Sequence, residues 1–106
     1  MPDEAIRVIV RWLTRAEGGR RRPFVGDRYC PTISLAGSAD ARMWSAVIDI
    51  DHAEAPAVGS VRFSAGRLRF LAPDAPRDRL AAGASFLVHE GRAVVALCSR
   101  DTVCGG

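Results

Sequence analysis

Lysine, asparagine and glutamine are missing from this chain, and all 15 basic side chains are arginine. Without lysine there is no P-loop ammonium to reach a nucleotide's terminal phosphates. Nor can there be a Schiff base with a carbonyl substrate or pyridoxal phosphate, or a lysine general base. The sequence also lacks a Gly-x-Ser-x-Gly elbow and a His-Glu-x-x-His pair, the motifs of many serine hydrolases and zinc peptidases. Long apolar runs are absent too. The longest, Ala93 to Cys98, is strand-length, far short of the ~20 residues that span a bilayer. The start, Met1-Pro2-Asp3-Glu4, has neither the basic opening nor the apolar core of an export signal. A cytoplasmic protein is therefore expected, with no membrane partner and no cofactor. Three cysteines, Cys30, Cys98 and Cys104, cannot all pair with one another, and in a chain with no sign of secretion free thiols are expected.

What is present suits one domain. A chain of 106 residues buries about two-thirds of its unfolded surface, so residues 1–106 are expected to form a single unit with its core at about 6–103. Ile6, Val8, Val10 and Trp12 alternate with Arg7 and Arg11, the period-two pattern of a half-buried strand. Residues 14–31 carry Gly18, Gly19, Pro23, Gly26 and Pro31 among arginines, which predicts a long basic loop. Strand character returns at Thr32 to Leu35, in the Trp44, Ala46, Ile48, Ile50 alternation, and at Phe63 to Leu71 with Leu68 and Phe70 inward. Asp51 to Gly59 reads as a connector, Asp78 to Gly83 as one short helical turn, and 104–106 as a flexible tail. Phe86 and Val88 lead through His89 to a Glu90-Gly91 connection, and Ala93 to Cys98 returns as a hairpin partner. Six strands and almost no helix predict an all-β fold, a small six-stranded antiparallel barrel, because closure removes exposed sheet edges. Val8, Val10, Ile48, Leu68, Phe70, Phe86 and Val88 are its expected core.

Two separated motifs add a resemblance. Ala16, Glu17, Gly18, Gly19 and Arg20, followed by Pro23, Phe24, Tyr29 and Pro31, resemble the opening of the C-terminal (third) domain of bacterial translation elongation factor Tu. Leu80, Gly83, Phe86, Glu90, Gly91 and Arg92 resemble that domain's closing hairpin. The resemblance runs from about Ile6 to Val103 and implies a six-stranded antiparallel barrel. It also implies a non-enzymatic binding surface of the kind that holds the T-stem of tRNA and packs against protein partners. No nucleotide-binding domain lies within these residues. The chain departs from the family at Cys30, where arginine is usual, at Thr32, where glutamine is usual, and by one extra loop residue. Ala93 to Leu97 replaces a small Gly-containing run that lets backbone approach tRNA.

Charge focuses the functional reading on the loop. Arg15, Arg20, Arg21, Arg22 and Arg28 stand there against Glu17 and Asp27. The rest of the chain balances, ten basic residues against ten acidic. The net charge of +3 therefore belongs to one segment and directs an acidic partner to it. Gly18 and Gly19 offer a turn whose amides suit phosphate, and arginine forks match its oxygens. The competing reading makes the glycines turn geometry and Phe24 and Tyr29 core plugs. Together with Arg92, the candidate ligand-binding set is Gly18, Gly19, Arg20, Arg21, Arg22, Arg28, Tyr29 and Arg92, with RNA (tRNA under the resemblance) or a protein docked on the barrel side as partner. Arg20 is expected to be structural, pairing with Glu17 or capping carbonyls. Cys30 beside Arg28 is a third alternative, a thiol enzyme or redox sensor, for which the sequence supplies no base. Asp49, Asp51, His52 and Glu54 match no metal spacing and read as a charged connector. No metal or catalytic residue is assigned, and His89 is expected on the surface. The chain should neither bind nor hydrolyse GTP; calorimetry showing saturable GTP binding would overturn that exclusion.

Overall fold

The computed structural model describes residues 5–20, 24, 26–37, 42–51, 57–58 and 61–101. Among the described residues eight strands run in chain order: β1 (Ile6–Trp12), β2 (Arg28–Tyr29), β3 (Thr32–Leu35), β4 (Trp44–Asp51), β5 (Ala57–Val58), β6 (Val61–Phe70), β7 (Phe86–Glu90) and β8 (Ala93–Arg100). Between β6 and β7 lies one short helix, α1 (Arg77–Ala81). Going round the wall, β3 pairs with β7, β7 with β8, β8 with β1, β1 with β6, β6 with β4, and β4 with β3, every pair antiparallel. The fold is thus a closed six-stranded antiparallel barrel. β2 joins β3 as one stave interrupted at Cys30 and Pro31, since both pair with β4. The extra strand, β5, folds back on the start of β6.

Alternation decides which side chains fill the barrel. Val8, Val10, Ile33, Ile48, Leu68, Phe86 and Val88 are wholly buried, and Phe70 is 8% exposed. All seven residues expected in the core are there. Leu80, also wholly buried, is carried in by α1. The helix thus brings an apolar side chain to a core that strands alone do not fill. The rings of Phe70 and Phe86 meet edge to face with centroids 5.9 Å apart, the arrangement that their quadrupoles favour.

Closure between β4 and β6 depends on a close approach. A Cβ built at Gly66 would stand 2.5 Å from the Asp49 carbonyl oxygen, so only glycine admits β4 at this distance. A second irregularity lies on the other side of the barrel. The β7–β8 register shifts at Val88/His89, leaving Val95 as an extra, buried residue of β8. Its carbonyl accepts a hydrogen bond from the Leu13 amide at 2.9 Å. The bulge therefore holds the chain where β1 ends.

Boundaries differ from the sequence reading where pairing overrides composition. β6 begins at Val61 because β5 supplies a partner inside the expected connector. β8 extends to Arg100 because β1 pairs with it as far as Val8. The expected tail, together with Cys104, lies outside the described residues. Phe86→Ala should cost about 3–5 kcal/mol, since it empties a filled site, whereas Leu71→Ala, 59% exposed, should change stability by less than about 0.5 kcal/mol. Equal midpoints for the two variants in chemical denaturation would contradict the core assignment.

Candidate functional site

The basic loop opens with local structure. Thr14 caps a 3-10 turn at Arg15–Glu17. Its hydroxyl accepts from the Glu17 amide at 3.2 Å, while the Glu17 carboxylate accepts from the Thr14 amide at 2.9 Å. This is a capping box, in which two orphan amides are satisfied reciprocally. The bond from the Thr14 amide holds the Glu17 carboxyl below its ordinary pKa, with Arg11 adding to the effect. Gly18 ends the turn at φ +91°. A Cβ at Gly19 would meet the Leu13 carbonyl oxygen at 2.1 Å. The amides of Gly18 and Gly19 donate to the carbonyls of Arg15 and Thr14. They are committed to the turn, so the loop has side chains rather than these two amides to offer an anion.

From Gly19 the chain reaches the mouth of the barrel. Glu90 shares the inward parity of Phe86 and Val88 and projects to this end. Its carboxylate accepts from the Tyr29 hydroxyl and from the Arg20 guanidinium through the same oxygen. Arg20 is structural as expected, but its partner is Glu90; Glu17 turns instead to Thr14 and to Arg11 at 3.8 Å. The three aromatic residues form a lining. Tyr29 lies 4.8 Å from Phe24 and 5.3 Å from Trp12 between centroids, and the Arg20 guanidinium sits 5.7 Å from the Phe24 centroid. The Trp12 indole donates to the Ser64 hydroxyl at 2.8 Å.

Electrostatics follow from this packing. Burial of Tyr29, and then its bond to Glu90, pushes the phenol well above its ordinary pKa. Partial desolvation works against the Arg20 charge, but the bond and attraction to Glu90 prevail, raising its pKa. Arg20 and Glu90 side chains are 30% and 35% exposed. Water screens the pair, so its contribution lies nearer 1 than 3 kcal/mol, the upper range for charge-assisted bonds.

The candidate residues thus divide. Gly18, Gly19, Arg20 and Tyr29 build the mouth and the approach to it. Arg92 is exposed in the hairpin turn two residues beyond Glu90. Arg28 faces away from Tyr29, onto the outer wall, where its Nε donates to Asp49 at 3.0 Å. Arg21 and Arg22 lie outside the described residues, as do Pro23, His52 and Glu54. Cys30 is exposed, and burial of Cys98 pushes its thiol up to about 12. Among the described residues no three His, Cys, Asp or Glu side chains group to hold a metal, and no helix is long and apolar enough to cross a membrane.

No known family, no curated protein and no solved structure matches the chain.

Two features escaped the sequence reading. Thr14-Arg15-Ala16-Glu17 carries the capping-box spacing, a readable signal. Ser34 Oγ lies 2.8 Å from His89 Nε2, across β3 and β7. His89 is consequently half-buried rather than a surface residue. Its Nδ1 is buried without a hydrogen-bond partner among the described residues, so this nucleophile-and-base pair has no third group to orient the ring.

Tyr29 is the chain's single tyrosine, so phenolate absorbance titrates one group. A pKa raised in the folded state means stability fully present below about pH 10, the unfolded value, and lost as pH rises above it. The folded protein should show no phenolate transition near pH 10, Glu90→Gln should bring the transition down, and denaturant should restore the ordinary value. An unshifted transition in the folded parent would refute this arrangement.

Proposed function

We propose that the chain is a non-enzymatic binding module of the cytoplasm whose basic loop, residues 14–31, engages an RNA backbone. The observation that carries this reading is the charge distribution, with the entire net positive charge in one loop. The mouth geometry supports it. Arg20 is tied to Glu90, and Phe24 packs against Trp12 and Tyr29. In sequence, Arg21 and Arg22 fall between Arg20 and Phe24. Arg92 stands exposed beyond the same mouth, adding a cation near the loop. Tyr29 in this reading supports the loop from beneath and does not stack on a base, because it is buried. The resemblance to the third domain of elongation factor Tu makes a tRNA stem the RNA of first interest. Bulky Ala93 to Leu97 argues for contact through side chains rather than close backbone approach.

A protein partner on the barrel side is the second reading. It is favoured by Leu87 standing directly opposite Leu97 on the outer wall, both half-exposed, with Ser34 and Arg11 next in the same row. Salt separates the two, because counterion release weakens phosphate contacts steeply and leaves apolar contacts nearly unchanged.

In a filter-retention assay with a structured RNA, replacing Arg21 and Arg22 by Ala should remove about 1.4–1.8 units from the logarithmic salt slope and leave the melting temperature unchanged. Arg20→Ala should lower the melting temperature. Failure of the parent protein to retain RNA at low salt would discard this reading in favour of the protein partner.

A further inference from the structure

Neighbouring strands β7, β8, β1 and β6 bring arginines to the barrel mouth from three separate parts of the chain. Arg92 lies in the turn between β7 and β8, two residues past Glu90. Arg15 opens the capped turn that follows β1. Arg62, near the start of β6, stands opposite Trp12 of the mouth lining and, on its other side, opposite Ala57 of β5. All three arginines are exposed, and among the described residues none has a carboxylate within ion-pair distance. The acids of this sector are already engaged. Glu90 accepts from Arg20 and Tyr29, and Glu17 accepts from the Thr14 amide with Arg11 at 3.8 Å. Asp27 and Asp51 belong to the other side of the mouth, where the Asp27 carbonyl bonds the end of β4, and both have partners of their own. The sector from β7 to β6 therefore keeps three cations that no described acid offsets.

We propose that the RNA held by the basic loop continues across this rim, with its phosphates on Arg92 and Arg15 and, at the far end, on Arg62. The inference rests on the RNA reading above and extends that interface from the loop to a wall strand. Three strand spacings of ~4.8 Å separate β7 from β6, about 14 Å in all. A nucleic-acid strand in a duplex carries one phosphate per ~3.4 Å of helix axis, so the arc matches several phosphates of a single strand. Arg62 is the member that a loop does not place. Its backbone is paired on both sides, with β1 and with β5, so the sheet fixes where this cation stands before any ligand arrives. An exposed arginine with no acid beside it adds little to the fold and gives its charge to the outward field. The contacts are to the backbone and not to bases. Trp12, Phe24 and Tyr29 pack on one another, so the rim offers cations rather than a stacking platform.

The test measures retention of bulk transfer RNA on filters by the full chain over a range of salt concentrations. Arg62→Gln should remove about 0.7–0.9 units from the logarithmic salt slope, the share of one phosphate contact, and leave the melting temperature unchanged. Arg62→Lys, which keeps the charge, should keep the slope. Arg79→Gln is the control for net charge. It makes the same change on α1, between the end of β6 and the start of β7 and so at the opposite end of the barrel, and should bind as the parent does. Three outcomes would overturn the proposal: a parental slope for Arg62→Gln, an equal loss for Arg79→Gln, or a loss for Arg62→Lys as large as for Arg62→Gln. The replacement of Arg21 and Arg22 tells this failure from failure of the RNA reading. If that variant loses slope while Arg62→Gln does not, the loop binds RNA and the rim does not. If the parent retains no RNA at low salt, both fall together.

Discussion

A carboxylate on the inward side of a barrel strand constrains everything around it. β7 alternates, so once Phe86 and Val88 point inward Glu90 must follow them. A carboxylate partly withdrawn from water is stabilised when its lone pairs find donors. The two donors come from far away in sequence, Tyr29 from β2 and Arg20 from the loop before it. Satisfying Glu90 therefore obliges the chain after β1 to reach the barrel mouth. The local chemistry agrees with that requirement. The capping box turns the chain at Thr14, Gly19 lets it pass the Leu13 carbonyl, and the bulged carbonyl of Val95 holds the Leu13 amide. Trp12, Phe24 and Tyr29 then fill the apolar space beside the carboxylate.

The rest of the barrel meets different demands. Six strands closed on themselves leave no long edge for another chain to extend, and β2 and β5 are each two residues long. Closure requires β4 and β6 to approach within the space that Gly66 leaves. Elsewhere α1 contributes Leu80 to the core, fixed by amides that bond back to Pro76 and Asp78. Polar support is therefore concentrated at the mouth and apolar filling beneath it.

Period-two alternation made the barrel legible in the sequence, because each wall strand buries one face and alternation then reports burial directly. It carried the core residues from Val8 to Val88. The same parity rule marks Glu90 as inward-facing, and the Thr14 to Glu17 spacing marks the capping box; both could have been read from residues alone. What could not be read was pairing between distant segments. Nothing local to Arg20 distinguishes Glu90, seventy residues away, from Glu17 three residues before it. The geometry decides, because Glu17 is already committed to Thr14. Likewise Ser34 and His89 meet only because β3 lies beside β7, and Arg28 meets Asp49 only in the register that sets β2 against β4.

That register explains why an all-arginine cationic set is not uniform in effect. Arg7, Arg11, Arg20, Arg28 and Arg42 each lie within ion-pair distance of a carboxylate. Among the described residues, Arg15, Arg67, Arg69 and Arg92 have no such carboxylate beside them. Cations already matched by acids add to the fold and little to the outward field, whereas unmatched ones give the surface its attraction for anions. The mouth and the wall thus use the same residue type in two settings. At the mouth an acid inside the barrel captures an arginine and orders a loop. On the wall Arg28 reaches across a strand pair to Asp49, and Arg7 lies within ion-pair distance of Asp101. A planar guanidinium suits both settings, since it presents fixed donors to a carboxylate, whether the acid projects from inside the barrel or lies across a strand pair on its wall.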